Sequence, residues 1–230
     1  MFIKRLRYEL RVASGLTSLL PLPALAGFAL LEWLMWHSSS PGSINPHVTV
    51  TRDFTLLLPL MIGLSVAHLM SVEKEEGFDE LRHSYAEPLY QQALWRTLIA
   101  LLLAGAALGL GWAAYSLVIG APVPLQWILP SLPPTLYLMG LSLLINHLSG
   151  SYWAAAGVIL GYWFLELQSQ TRGKLTGDLF LFNAVWDNGS DGRWNTILLC
   201  LIGCLFLVIN ILLEERRMLR SYGGSRPGYE

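Results

Sequence analysis

Apolar residues in this chain occur in long runs, and polar residues are concentrated in the segments between them. A helix needs about 20 apolar residues to cross the hydrocarbon core of a bilayer. Six runs are close to that length, so the pattern predicts an all-α, polytopic membrane protein with six transmembrane helices. The predicted spans are approximately 15–36, 54–71, 97–119, 126–148, 152–168 and 195–213.

Helix-breaking residues mark both ends of the fourth span. Pro130, Pro133 and Pro134 open it, and proline removes a backbone donor and clashes with the preceding turn. We therefore expect a kinked or irregular start to this helix. Only Ser149-Gly150-Ser151 separates it from the fifth span, which predicts a helical hairpin.

The composition agrees with a membrane location. Of the 230 residues, 53% are hydrophobic and 13% are charged, whereas soluble domains carry about 25% charged residues. Nine Trp and nine Tyr residues are typical of a protein with membrane interfaces. A net charge of −1, without a basic groove lined by aromatic residues, predicts no nucleic-acid partner. Cys200 and Cys204 lie one turn apart in an apolar run and are interpreted as packing residues.

The distribution of Lys and Arg predicts the orientation of the spans. Cytoplasmic loops are enriched in these residues. If both termini are cytoplasmic, eleven of the fifteen basic residues lie inside the cell. These are Lys4, Arg5, Arg7, Arg11, Lys74, Arg82, Arg96, Arg216, Arg217, Arg220 and Arg226, while Arg52, Arg172, Lys174 and Arg193 lie outside.

The first residues predict an amphipathic helix over 1–14 that lies along the inner surface of the membrane. Its apolar face carries Phe2, Ile3, Leu6 and Leu10, and its basic face carries Lys4, Arg7 and Arg11. A secretory signal is the alternative, because Ala24-Leu25-Ala26 has the small-residue pattern of a cleavage site. The apolar run continues past it to Trp36, which favours a retained first span.

Acidic residues are concentrated directly after the second span. Phe78, Leu81 and Tyr85 recur at helical spacing, while Glu75, Glu76, Asp79 and Glu80 surround them. This pattern predicts a short amphipathic helix within about 73–87, which starts near Gly77 and ends before Pro88. The acidic face would suit a basic protein partner, since the anionic inner leaflet repels it. A solvated loop that only joins two spans is the alternative.

The run Glu73-Lys74-Glu75-Glu76-Gly77-Phe78-Asp79-Glu80-Leu81, followed by Ser84-Tyr85, resembles the first cytoplasmic loop of type-two ATP-binding-cassette (ABC) exporter permeases. The layout of basic start, six spans and long outer loop is also similar to that family. The resemblance implies a coupling helix that docks on an ATPase subunit through Glu75, Glu76, Gly77, Phe78, Asp79, Glu80, Leu81 and Tyr85. Phe78 departs from the Thr that is usual in the family, which affects the N-cap of this helix.

The resemblance further implies a permease subunit of an ABC exporter that forms a substrate pathway as a homodimer or heterodimer in the cell membrane of a bacterium. The chain has no Gly-x-x-x-x-Gly-Lys-Ser/Thr loop. ATP and Mg are therefore expected in a separate ATPase chain, and we expect no catalytic residue, cofactor or metal in this one.

The outer loop before the sixth span contains Leu179, Phe182 and Trp186 at helical spacing, with Asp178 as a possible N-cap. We predict a short interfacial helix at about 176–187. In the resembling family, helices at this place narrow the exit of the pathway, so these three side chains are candidate outer gate residues. A flap that only shields the span ends is the alternative.

Polar side chains within the predicted spans are candidates for the pathway or for hydrogen bonds between helices. Glu32 and Glu166 fall near outer ends, where we expect them to reach water. His68, Asn146 and His147 fall near inner ends, and Asn210 lies within the sixth span. Residues 214–230 are predicted to form a cytoplasmic tail.

Two other functional classes were weighed. A non-transport scaffold or immunity protein could share the architecture. An intramembrane protease is disfavoured because Leu219 stands where the Glu214-Glu215 pair would need Arg, and because Leu148-Ser149-Gly150-Ser151 lacks the leading glycine of a rhomboid-like motif.

The predicted orientation can be tested with two single-cysteine variants, Lys74→Cys and Lys174→Cys, in a chain whose two native cysteines are replaced. A membrane-impermeant thiol reagent should label the variant at 174 in sealed cells and the variant at 74 only after permeabilisation. Labelling at 74 in sealed cells would contradict the orientation.

Overall fold

A computed structural model of the protein describes residues 21–38, 45–75, 89–169, 179–182, 185 and 193–223. All regular secondary structure in these ranges is helical. The predicted helix at 1–14, residues 76–88 of the acidic segment, Trp186 and residues 224–230 lie outside the described ranges.

Six α-helices are present in the described part of the chain. They are α1 Pro21–Ser38, α2 Pro46–Glu75, α3 Leu89–Ile119, α4 Leu132–Ser149, α5 Tyr152–Ser169 and α6 Arg193–Gly223. Successive helices run in opposite directions across the bundle. We call the end where α3 stops the Gly120 end, and the end where α4 turns into α5 the Gly150 end.

Within these ranges, four helical segments are long and apolar enough to cross a membrane. They are Pro46–His68, Ala93–Ile119, Leu125–Ser149 and Arg193–Leu213. The apolar part of α1, Pro21–Met35, is shorter, and α5 is not among these four segments. Leucines on the outside of α6, such as Leu201 and Leu205, are more than half exposed, as expected for a surface that contacts lipid.

The helix α2 begins eight residues before the span predicted at 54. Asn45 lies just before Pro46, and its Oδ1 accepts a hydrogen bond from the backbone N–H of His47 at 3.1 Å. Asn is a favoured N-cap residue and proline is favoured in the first helical position. Arg52 therefore belongs to the second turn of a helix and not to an outer loop.

The start of α4 is irregular, as its prolines predict. Two 3₁₀ turns, Leu125–Trp127 and Leu129–Ser131, precede it, and proline occupies its first turn. At its other end Gly150 has a φ of +70° and donates its N–H to the carbonyl of Asn146 at 2.8 Å. This left-handed cap ends the helix and allows the tight hairpin with α5.

The core is built around α2 and α4. One apolar cluster joins α1, α2 and α3 to α4, and it includes Leu25, Phe54 and Met139. A second cluster joins α4, α5 and α6 to the segment 179–182. Leu25 packs against Gly111, which has no side chain. A Cβ at Gly111 would lie only 2.9 Å from the Leu25 Cδ1, which is too close.

Two glycines let α4 and α6 approach each other closely. A Cβ built on Gly203 would lie 2.8 Å from the backbone C of Leu136 and the N of Tyr137, and one on Gly140 would lie 2.6 Å from the carbonyl oxygen of Gly203. Small residues at such crossings let backbones pack directly, which supports helix association in lipid.

Gly203→Ala should therefore force α4 and α6 apart and cost about 1–3 kcal/mol, as overpacking does. Gly157→Ala is the matched control, because no atom lies within 4 Å of a Cβ there and alanine is the better helix former. Thermal unfolding of the detergent-solubilised protein should show a lower midpoint for the first variant only. Equal midpoints would contradict the packing.

Candidate functional site

A network of charged side chains links α1, α2 and α3 near the Gly120 end. The Arg52 Nη2 lies 2.8 Å from the Glu32 Oε1, and its Nε lies 3.0 Å from the Asp53 Oδ1. Arg52 thereby connects α2 to α1 and also contacts the carboxylate next to it in the chain. Salt bridges of this kind are stronger where the groups are shielded from water.

Tyr115 completes the network from α3. Its hydroxyl donates to the Asp53 Oδ2 at 2.6 Å, and its ring packs against Phe54 with centroids 5.6 Å apart. Tyr115 is 1% exposed and Asp53 is 5% exposed. Both oxygens of Asp53 are thus occupied, one by the guanidinium and one by the phenol.

Arg52 is the exposed member of the network, and the two carboxylates are buried. The Arg52 side chain is 43% exposed, compared with 11% for Glu32 and 7% for Asp53. Two carboxylates share one guanidinium and one hydroxyl, so each buried acceptor has a strong donor. The arrangement holds three helices together at one end of the bundle, and separating them would leave charged groups without partners.

The prediction that Glu32 and Glu166 reach water is wrong for both residues. Glu32 is 8% exposed and Glu166 is 0% exposed. Glu32 is covered because the early start of α2 brings Arg52 beside it. Glu166 is enclosed in α5 one turn after Tyr162.

The structure places Asn146 and His68 at the same level of the bundle near the Gly150 end. Asn146 Nδ2 donates to the carbonyl of Ala67 at 2.6 Å, and the ring of the adjacent His68 lies 5.8 Å from that of Tyr152. His147 is also buried, at 5% exposure. Asn146 therefore ties α4 to α2, in agreement with an interhelical role.

Asn210 is fully buried in α6, and among the described residues neither its Oδ1 nor its Nδ2 has a hydrogen-bond partner. The interhelical bond predicted for Asn210 therefore stays a prediction.

Two of the three candidate gate residues, Leu179 and Phe182, lie in the described segment 179–182, which forms turns. Phe182 is fully buried against Trp163 and Phe180. The Leu179 carbonyl accepts from the Tyr162 hydroxyl at 3.1 Å. Leu179 and Phe182 thus belong to the second core cluster, while Trp186 is not described.

The sequence reasoning missed Asp53 and Tyr115 and assigned Arg52 to a loop. The signal that identifies them is the Asn45-Pro46 pair, which starts α2 early enough to include Arg52 and Asp53.

Arg96 was counted among the cytoplasmic basic residues, yet it is 2% exposed within α3. Counting charges by loop cannot separate a surface arginine from an enclosed one.

Of the predicted ATPase-coupling residues, Glu75 is the last residue of α2. The others, Glu76 to Leu81 and Tyr85, lie outside the described residues. The two helices on either side of them, α2 and α3, pack against each other and against the core.

Comparison with protein-family models, with curated proteins and with solved structures found no match. Among the described residues, no group of three or more His, Cys, Asp or Glu side chains is placed to hold a metal ion.

The charged network can be tested by removing one hydroxyl. Tyr115→Phe leaves a buried carboxylate oxygen without its donor, which should cost about 1–3 kcal/mol. Tyr162→Phe is the matched control, because its hydroxyl bonds a neutral carbonyl and should cost about 0.5–1.5 kcal/mol. Thermal unfolding midpoints should fall further for the first variant, and the reverse order would count against the network.

Proposed function

We propose that this chain is the membrane-spanning permease subunit of an ABC exporter. In this proposal six helices cross the cell membrane, two permease subunits enclose the pathway, and a separate ATPase supplies the energy. The observation that carries the proposal is the acidic run Glu73 to Leu81 between two long apolar helices.

The geometry of α2 supports a mechanical role for that run. α2 has 30 residues, so at about 1.5 Å per residue it is about 45 Å long, while the hydrocarbon core is about 30 Å thick. The helix can therefore cross the membrane and continue into water as far as Glu75. The acidic segment would be attached directly to a span, without a flexible linker before it.

Force applied to the acidic segment would reach the interior of the bundle through α2 and α3. Both helices contribute side chains to the first core cluster, including Phe54, Val66 and Ala100. ATP-driven closure of the docked ATPase would then tilt the two helices together, because a ligand-driven switch acts through elements that have discrete packed positions. In this proposal the Gly150 end faces the cytoplasm.

The charged network would act at the opposite end. Arg52 and Asp53 lie near the start of α2 and are bonded to α1 and α3. They would hold the Gly120 end of this subunit together while the Gly150 end is moved by the ATPase.

A co-purification experiment tests the proposal. The tagged chain, extracted gently from native membranes, should bring down an ATPase of about 25–35 kDa, the size of one or two domains. The double variant Glu80→Ala with Leu81→Ala should lose that ATPase at least about tenfold, which corresponds to about 1.4 kcal/mol of binding energy.

Leu213→Ala with Glu214→Ala is the matched control, because it removes the same two residue types from α6, where its apolar segment ends at Leu213, and should retain the ATPase. If the ATPase remains bound to the Glu80 and Leu81 double variant, the proposal that this segment docks on the ATPase is wrong. A chain that never co-purifies with an ATPase would instead favour the scaffold or immunity protein.

A further inference from the structure

α2 contains a proline in its interior, at Pro59. Proline has no N–H, so the carbonyl of Thr55 receives no hydrogen bond from within the helix. Neighbouring groups can satisfy such carbonyls in membrane helices, and the adjacent carbonyl of Leu56 accepts the Trp163 Nε1 of α5 at 2.8 Å. The middle of α2 therefore has fewer internal hydrogen bonds than a regular helix.

Buried hydroxyls on the N-terminal side of Pro59 add to this local weakness. Thr51 is 7% exposed and Thr55 is 1% exposed, and within the described ranges neither Oγ1 has a hydrogen-bond partner. The hydroxyls of Thr97 and Thr135, by contrast, donate to carbonyls four residues earlier at 2.8 and 2.6 Å. Buried hydroxyls without partners are rare. Each of these two hydroxyls could still form a hydrogen bond if the local conformation changed.

Before Pro59, the side chains of α2 are bonded to α1 and α3, while the carbonyl of Leu56, three residues from the proline, accepts from α5. Arg52 pairs with Glu32 on α1, and Asp53 accepts from Tyr115 on α3. These bonds are charged and mostly enclosed, and they fix the first half of α2 to α1 and α3.

The part of α2 after Pro59 is bonded to a different helix. Ser142 Oγ donates to the carbonyl of Gly63 at 2.7 Å, and Asn146 Nδ2 donates to the carbonyl of Ala67 at 2.6 Å. Gly63 also lets α4 approach, since a Cβ there would lie 3.6 Å from that of Leu138 and 3.1 Å from the Ile159 Cγ2. The second half of α2 is thus fixed to α4.

We propose that α2 is hinged at Pro59, so that its second half moves with α4 relative to its first half, which stays with α1 and α3. Apolar side chains also pack between the two groups of helices, and they allow the motion because apolar contacts are not directional. The hydrogen bonds and salt bridges on each side of Pro59 are directional, so each half of α2 keeps its own partners. The inference concerns α2 itself and does not require that an ATPase docks on the chain.

Paired spin labels on α2 test the hinge directly. Val48 is 53% exposed before Pro59, and Leu64 is partly buried after it. Sixteen residues of straight helix separate the two backbone positions by about 24 Å. Cys200 and Cys204 are first replaced by alanine, and the labels are attached to Val48→Cys and Leu64→Cys in nanodiscs.

The distance distribution should be broad or two-peaked in the chain that carries Pro59, and narrow in Pro59→Ala. Pro23→Ala is the matched control, because Pro23 lies in the first turn of α1, where helical N–H groups have no partner within the helix. This variant should keep the broad distribution. Equal distributions with and without Pro59 would overturn the hinge.

Amide hydrogen exchange gives a second measurement that needs no label. Exchange at residues 60–63 of the unmodified chain should be at least about tenfold faster than at residues 139–142 of α4, as expected for a segment that opens locally. Pro59→Ala should reduce this difference. Similar rates in both segments of the unmodified chain would also overturn the proposal.

Discussion

Polar groups that are enclosed in an apolar bundle must find partners within the protein, since hydrocarbon offers none. In this chain that requirement falls mainly on α2. Its side chains bind α1 and α3 through Arg52 and Asp53, and its backbone carbonyls accept from α4 and α5. α2 is therefore bonded through polar groups to four of the other described helices, α1, α3, α4 and α5.

The charge-assisted bonds and the neutral hydrogen bonds of α2 differ in strength. Arg52 with its two carboxylates forms charge-assisted bonds, which are stronger than neutral ones and costly to break when one partner stays buried. Ser142 and Asn146 form neutral bonds to the carbonyls of Gly63 and Ala67, worth about 0.6 kcal/mol each on average in lipid. The charged bonds of Arg52 are thus stronger than the two neutral bonds that join α4 to α2.

Several features of the fold could be predicted because they depend on local chemistry. The apolar runs predict the all-α class, Pro133 and Pro134 predict the irregular start of α4, and Gly150 predicts the hairpin. Asn45 and Pro46 carried equally local information about the start of α2, but a search for apolar runs passes over them. That omission removed Arg52 and Asp53 from the predicted spans, and with them the charged network.

The sequence by itself determined the class of the protein and the position of the acidic run, because hydrophobic length and charge can be counted along the chain. Only the tertiary structure decided which polar residues meet. Glu32 and Arg52 are twenty residues apart, and Asp53 and Tyr115 are separated by sixty-two. Their pairing depends on which faces of α1 and α3 are turned toward α2. That rotation is set by contacts such as Leu25 against Gly111, which no local pattern encodes.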